Sequence, residues 1–106
     1  MNTQLILDII TNALKDEDYQ IEVDPSELDD GILNMRIDYN YFGTASLTIT
    51  AISSSYLFKV KYTSKTYSRV TSDMLLEVRE DRMPRIKEQV KRFLLEARIG
   101  GDLSWV

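Results

Sequence analysis

The chain has 106 residues, 43% of them apolar, which is enough for one hydrophobic core in a single domain over residues 1–106. It has no cysteine and no histidine, which excludes disulfide-stapled scaffolds, thiolate metal sites and mechanisms that use a histidine base. The net charge of −4 is uneven, because residues 1–40 carry ten acidic and two basic side chains and the remainder carries seven acidic and eleven basic ones. The two parts therefore predict surfaces of opposite sign.

The chain begins with a predicted amphipathic helix. Apolar residues recur at helical spacing from Leu5 to Leu14, with Asp8 and Asn12 on the other side. We expect the helix to end near Lys15, because the acidic run that follows would oppose the helix dipole at a C-terminus.

Strands are predicted for the middle of the chain. A short strand is expected over Tyr19 to Val23 and ends before Pro25. Three further segments alternate strictly between apolar and polar residues: Ile32 to Tyr39, Thr44 to Ile52, and Tyr56 to Thr63. This period of two indicates a meander with one buried face and one wet face, joined by hairpins.

The last third is predicted to be helical. A helix is expected from Asp73 toward Asp81, and Pro84 then kinks it or begins a second helix. An apolar stripe from Ile86 to Ala97 fits that second helix, and Gly100-Gly101 predicts its end. The only tryptophan, Trp105, is expected to pack back onto the core.

This order of elements predicts an α+β fold with two layers. An antiparallel meander sheet of three to four strands is packed by an N-terminal helix and one or two C-terminal helices. No targeting segment is visible, and no apolar run approaches the roughly 20 residues of a membrane span, so we expect a cytoplasmic protein.

No catalytic chemistry is indicated. The four glycines are too scattered for a phosphate-binding loop, and the Ser53 to Ser55 run has no histidine to activate it. Four carboxylates before Gly31 offer oxygen ligands to a hard cation, but the glutamate that closes a calcium loop is missing. We therefore predict no enzyme, no cofactor and no metal site.

The acidic first part of the chain is the leading candidate site. Carboxylates at this density can mimic the phosphates of nucleic acid and steer association with a positive cleft. The sequence therefore predicts a small acidic module, an inhibitor or adaptor, that binds a larger protein with a basic surface. The predicted partner-binding residues are Asp16, Glu17, Asp18, Glu22, Asp24, Glu27, Asp29, Asp30 and Asp38.

The alternative is direct nucleic-acid binding through the basic residues between Lys59 and Arg98. Interleaved aromatics could stack on bases, but Tyr56, Phe58 and Tyr62 share a strand face with Val60, which predicts that they belong to the core. Self-association through a free sheet edge or the last helix is also left open by the sequence.

Two families share features with the chain. Helix, three strands and helix is the order of the double-stranded-RNA-binding domain, which the chain resembles in topology alone, because Ser68 to Glu77 holds one basic residue and no glycine. The opening Met1-Asn2, the Asp18-Tyr19 pair and the Arg36-Ile37 strand resemble small phage-encoded inhibitors of the anti-CRISPR type. That resemblance covers the first half of the chain and implies inhibition of a protein partner.

Overall fold

The computed structural model describes residues 3–24 and 31–102. Helix α1 spans Thr3–Ala13 and helix α2 spans Lys87–Asp102, and a 3-10 turn over Glu80–Arg85 precedes α2. The strands between the helices are β1 (Gln20–Asp24), β2 (Ile32–Asp38), β3 (Gly43–Ile52), β4 (Ser55–Ser64) and β5 (Val70–Arg79).

The five strands form one antiparallel sheet in the order β1-β2-β3-β4-β5. Every strand pairs with its neighbour in the chain, so all of the connections are local. Ser53 and Ser54 alone join β3 to β4, as the predicted hairpin requires. The α+β two-layer prediction is confirmed, with one strand more than the upper count expected.

The core lies between the sheet and the two helices. Alternate residues of β2, β3 and β4 point into it, and α1 adds Ile6, Ile9 and Ile10, each at most 1% exposed. From α2 come Val90, Phe93, Leu94 and Ala97. The strict alternation in the sequence thus identified the buried face, including the predicted burial of Tyr56, Phe58 and Tyr62.

The predicted helix from Asp73 toward Asp81 is wrong. This segment is β5, whose Met74, Leu76 and Val78 turn toward the core while Asp73 and Leu75 are exposed. Its apolar residues fit both a period of two and a helical spacing, so local pattern did not decide between them. Non-local contacts make it a strand: its backbone pairs with β4, and its alternate side chains reach the core.

The C-terminal helix also differs from expectation at its end. Pro84 lies in the 3-10 turn before α2, but Gly100 and Gly101 do not stop the helix, which continues to Asp102. That residue accepts a hydrogen bond of 2.7 Å from the hydroxyl of Tyr62 on β4, which holds the last turn against the sheet. Trp105 lies outside the described residues.

Neither helix in the described part of the chain is long and apolar enough to cross a membrane. The described residues share one hydrophobic core, to which both helices and the sheet contribute.

Candidate protein-interaction face

The two faces of the sheet have different surroundings. α1 and α2 pack on one of them, which we call the covered face. No helix within residues 3–24 and 31–102 packs on the other, the open face, which carries the residues that alternate with the core positions. A five-stranded sheet with one wet face is the usual result of strict alternation in antiparallel strands.

Charges are arranged across the open face in strand register. One row runs from Glu22 on β1 through Arg36, Ser46 and Lys61 to Asp73 on β5. The next row places Lys59 beside Thr48. The middle of the open face is therefore basic and hydroxyl-rich, and acidic side chains line both edge strands.

These charges are exposed and largely unpaired. Among the described residues, no salt bridge forms to Glu22, Arg36, Lys59 or Lys61. The carboxylates of Asp73 and Glu77 on β5 are likewise exposed and outside the ion pairs found in the described residues. Unpaired charges on a sheet face keep their full capacity to attract a charged partner.

Two shallow depressions adjoin one another on this face. The larger, of about 460 Å³, lies over β1 and β2 between Glu22 and Arg36. The smaller, of about 200 Å³, lies between Thr48 and the two lysines of β4. Ser46 lines both, so the two depressions are continuous. Together they are lined by acidic and basic side chains.

Two of the acidic residues predicted to bind a partner lie elsewhere, against α2. Asp16 is 3.4 Å from the ammonium of Lys91, and Glu17 is 3.3 Å from the guanidinium of Arg98. The side chains of Glu17 and Arg98 are only 25% and 13% exposed. These pairs fasten the end of α1 to α2.

The remaining predicted residues divide into three groups. Glu22, Asp24 and Asp38 lie together on the open face at the β1–β2 side, where Asp38 also accepts a 2.9 Å hydrogen bond from the backbone N–H of Asn40. Asp18 lies in the loop before β1. The other three, Glu27, Asp29 and Asp30, lie outside the described residues.

The basic residues of the alternative prediction do not form one surface. Of the cations on β4 and β5, Lys59 and Lys61 lie in the middle of the open face. Lys65 donates a hydrogen bond to the carbonyl of Asn40, and Arg79 pairs with Asp81 at 3.1 Å. On α2, Lys91 and Arg98 form ion pairs with Asp16 and Glu17.

Arg98 organises a partly buried cluster at the end of α2. Its guanidinium lies 4.6 Å from the Phe42 ring centre and 5.7 Å from that of Tyr39, and it pairs with Asp102 at 3.7 Å. Burial raises the pKa of Tyr39, against the opposing effect of Arg98. Burial and the hydrogen bond to Asp102 raise the pKa of Tyr62. Both phenols therefore stay neutral, and the cluster is suited to support rather than to proton transfer.

Arg36 is the open-face residue that sequence reasoning overlooked. Neither the acidic nor the basic candidate surface predicted from the sequence includes it, yet register places it on the same face as Lys59 and Lys61. The alternation of β2 predicted its exposure, but strand order was needed to bring it near β4. Within the described residues, no group of three metal-ligating side chains is assembled.

No family model, curated protein or solved structure matches the chain. Function is therefore inferred from the open face itself.

Proposed function

We propose that this protein is a binding module that docks a protein partner on the open face of its sheet. The observation that carries the proposal is a set of exposed charges in strand register that the fold does not use. Asp16 and Glu17 pair with Lys91 and Arg98 where the end of α1 meets α2, whereas Glu22, Arg36 and Lys61 on the open face form no ion pair among the described residues. Exposed charges held in a fixed register orient an approaching partner and favour one whose charges are complementary.

The charge order specifies the chemistry of the partner. Glu22, Asp24 and Asp38 form an acidic margin that fits basic side chains, in keeping with a partner of basic surface. Arg36, Lys59 and Lys61 next to that margin fit carboxylates. A partner with both signs in this order gains attraction across the whole face, whereas a reversed order brings like charges together.

Inhibition of the bound partner stays a prediction from the resemblance to phage-encoded inhibitors. A docked domain of this size can block a site on a larger protein without any chemistry of its own.

The test is affinity capture from a lysate of the source cells with three matched baits. They are the wild type, the open-face swap Glu22→Lys with Lys61→Glu, and the control swap Lys87→Glu with Glu88→Lys. Both swaps preserve net charge, and the control residues are exposed on α2, away from the open face. We expect a protein that the wild type and the control retain and the open-face swap loses. Equal retention by all three baits would contradict the proposal.

A second candidate function is nucleic-acid binding by the middle of the open face. Three cations without ion pairs in the described structure surround the hydroxyls of Ser46 and Thr48, which is a reasonable cradle for phosphate oxygens. Acidic residues on both edge strands weaken this field, which is why we place it second.

Fluorescence anisotropy with labelled DNA and RNA at roughly 50 and 200 mM salt separates the two functions. Nucleic-acid binding predicts a signal that falls steeply with salt and is lost in Lys59→Ala with Lys61→Ala. No signal at the lower salt, together with selective protein capture, supports the protein partner.

A further inference from the structure

The two edges of the sheet differ in length and in charge. β1 has five residues and presents Gln20, Glu22 and Asp24 on the open face. A second copy of β1 centred on Glu22 would place two carboxylates opposite each other, which disfavours pairing. β5 is twice as long and carries both signs, with Asp73 and Glu77 acidic and Arg79 basic. A long edge strand is a template for pairing with another strand.

The backbone groups at the β5 edge can be assigned to alternate residues. Glu80 donates its N–H to the carbonyl of Ser54, in register with the β4–β5 ladder. Hydrogen bonds alternate along antiparallel strands, so the even-numbered residues of β5 direct their N–H and C=O groups toward β4. Those of Asp73, Leu75, Glu77 and Arg79 point to the outer edge of β5, where no other strand of the described residues pairs.

We propose that β5 pairs antiparallel with β5 of a second copy, in a register centred on Leu76. This register places Asp73 opposite Arg79 of the second copy, and the two-fold axis repeats the attraction at the other end. Within one copy Arg79 pairs with the exposed Asp81 at 3.1 Å, so in the dimer its guanidinium would lie between two carboxylates. The neighbouring registers are worse: centring on Leu75 puts Asp73 opposite Glu77, and centring on Glu77 puts two glutamates together. A register centred on Val78 also brings Glu77 opposite Arg79, but it pairs only residues 77–79 of β5. Charge complementarity and strand length together therefore select the register centred on Leu76.

The same register fits the other features of the strand. The irregularity of the β4–β5 ladder lies between Tyr62 and Thr63, near the start of β5 and outside the paired segment. On the covered face Met74 comes opposite Val78 of the second copy, and the two Leu76 side chains meet. Met74 and Leu76 are partly buried against the core of one copy, so pairing extends that core across the seam.

Pairing would join the two sheets into one of ten strands. A two-fold axis between antiparallel strands is perpendicular to the sheet, so both open faces lie on the same side. The dimer would thus present two docking faces to one partner assembly. The pairing itself does not depend on the proposed function, because β5 and the acidic margin on β1 are at opposite edges.

Sedimentation velocity across a range of concentrations tests the pairing with two single variants. Asp73→Arg places two arginines opposite each other at both ends of the seam, and Arg79→Asp places two aspartates there. We expect each variant to raise the dimer Kd about tenfold or more. An equimolar mixture of the two restores opposite charges at both ends of the seam and should form a heterodimer more readily than either variant pairs with itself. Within one copy residues 73 and 79 are six positions apart on a strand, so folding alone does not produce this rescue.

Amide hydrogen exchange adds a measurement that needs no substitution. The N–H groups of Asp73, Leu75, Glu77 and Arg79 should become protected as protein concentration rises, while those of β1 stay unchanged. A wild type that is monomeric up to roughly 1 mM would overturn the proposal. A dimer that both single variants leave intact would overturn it as well.

Discussion

The two faces of the sheet use charge in different ways. On the helix-covered side, Arg98 lies between Glu17 and Asp102 and stacks over Phe42, so its charge is balanced inside the fold. On the open face, Arg36 and Lys61 point into solvent without an ion pair in the described structure. Arg98 thus helps to hold the fold together, whereas Arg36 and Lys61 are available to a partner.

Of the substitutions considered, Gly43→Ala on the covered face should destabilise the protein most. A Cβ at Gly43 would lie 2.7 Å from the Tyr62 hydroxyl and closer still to the Thr63 carbonyl, which is backbone and has little freedom to move. We expect a loss of about 3 kcal/mol in the free energy of unfolding, measured by urea denaturation.

Gly100→Ala is the matched control. Nothing lies within 4 Å of a Cβ at Gly100, which is exposed in α2. Alanine favours a helix over glycine, so this variant should be unchanged or more stable by about 0.5 kcal/mol. Equal losses in both variants would mean that the crowding at Gly43 is not the cause.

Next in size is a comparison of one cation from each face. Arg98→Met leaves Glu17 and Asp102 without their shared partner in a partly buried site. We expect it to lower the free energy of unfolding by about 2 kcal/mol. Lys61→Met removes an exposed cation and should change stability by no more than about 0.5 kcal/mol. Similar costs for the two variants would contradict the division between the faces.

Tyr62→Phe should lower the free energy of unfolding by about 1 kcal/mol at neutral pH, because it removes the hydrogen bond to Asp102. It should also change the response to alkali. The pKa of Tyr62 is raised above the value of about 10 in an unfolded chain, so its contribution is complete below pH 10 and is lost as pH rises beyond it.

The wild type should therefore lose stability more steeply above pH 10 than Tyr62→Phe, by up to about 1.4 kcal/mol per pH unit. Burial also raises the pKa of Tyr39, which is present in both proteins. The variant should therefore still lose some stability as the pH rises above 10. Unfolding by urea at pH 9, 10 and 11 measures this difference, and parallel curves would argue against a neutral buried phenol at position 62.

The smallest effect is expected for the open-face swap of Glu22→Lys with Lys61→Glu. Both residues are exposed and unpaired in the described structure, so the free energy of unfolding should stay within about 0.5 kcal/mol of the wild type. A larger loss would show that these charges support the fold, and capture experiments with this variant would then report on stability.

Much of the fold was predictable from the sequence. Strict alternation gave β2, β3 and β4 nearly to the residue, and helical spacing gave α1, because each pattern matched one period only. β5 was missed because Met74, Leu75 and Val78 suit a helix as well as a strand. The end of α2 was missed because a contact from Tyr62, 40 positions away, outweighs two helix-breaking glycines.

The candidate site was less predictable for the same physical reason. The acidic density of the first 40 residues is visible in the sequence, but ion pairs remove Asp16 and Glu17 through partners 75 and 81 positions away. Arg36 joins the lysines of β4 only through the strand order. Local pattern shows which side chains are exposed, whereas the assembled sheet shows which of them share a face.

Lysine footprinting of the captured complex shows whether the partner docks on the open face. Acetylation by a small amine-reactive reagent is followed by mass spectrometry with and without the partner, and Lys59 and Lys61 are compared with the exposed Lys87 on α2. We expect the partner to protect Lys59 and Lys61 and to leave Lys87 as reactive as before. Protection of Lys87 with unchanged reactivity at Lys59 and Lys61 would place the partner on the helices and contradict docking on the open face.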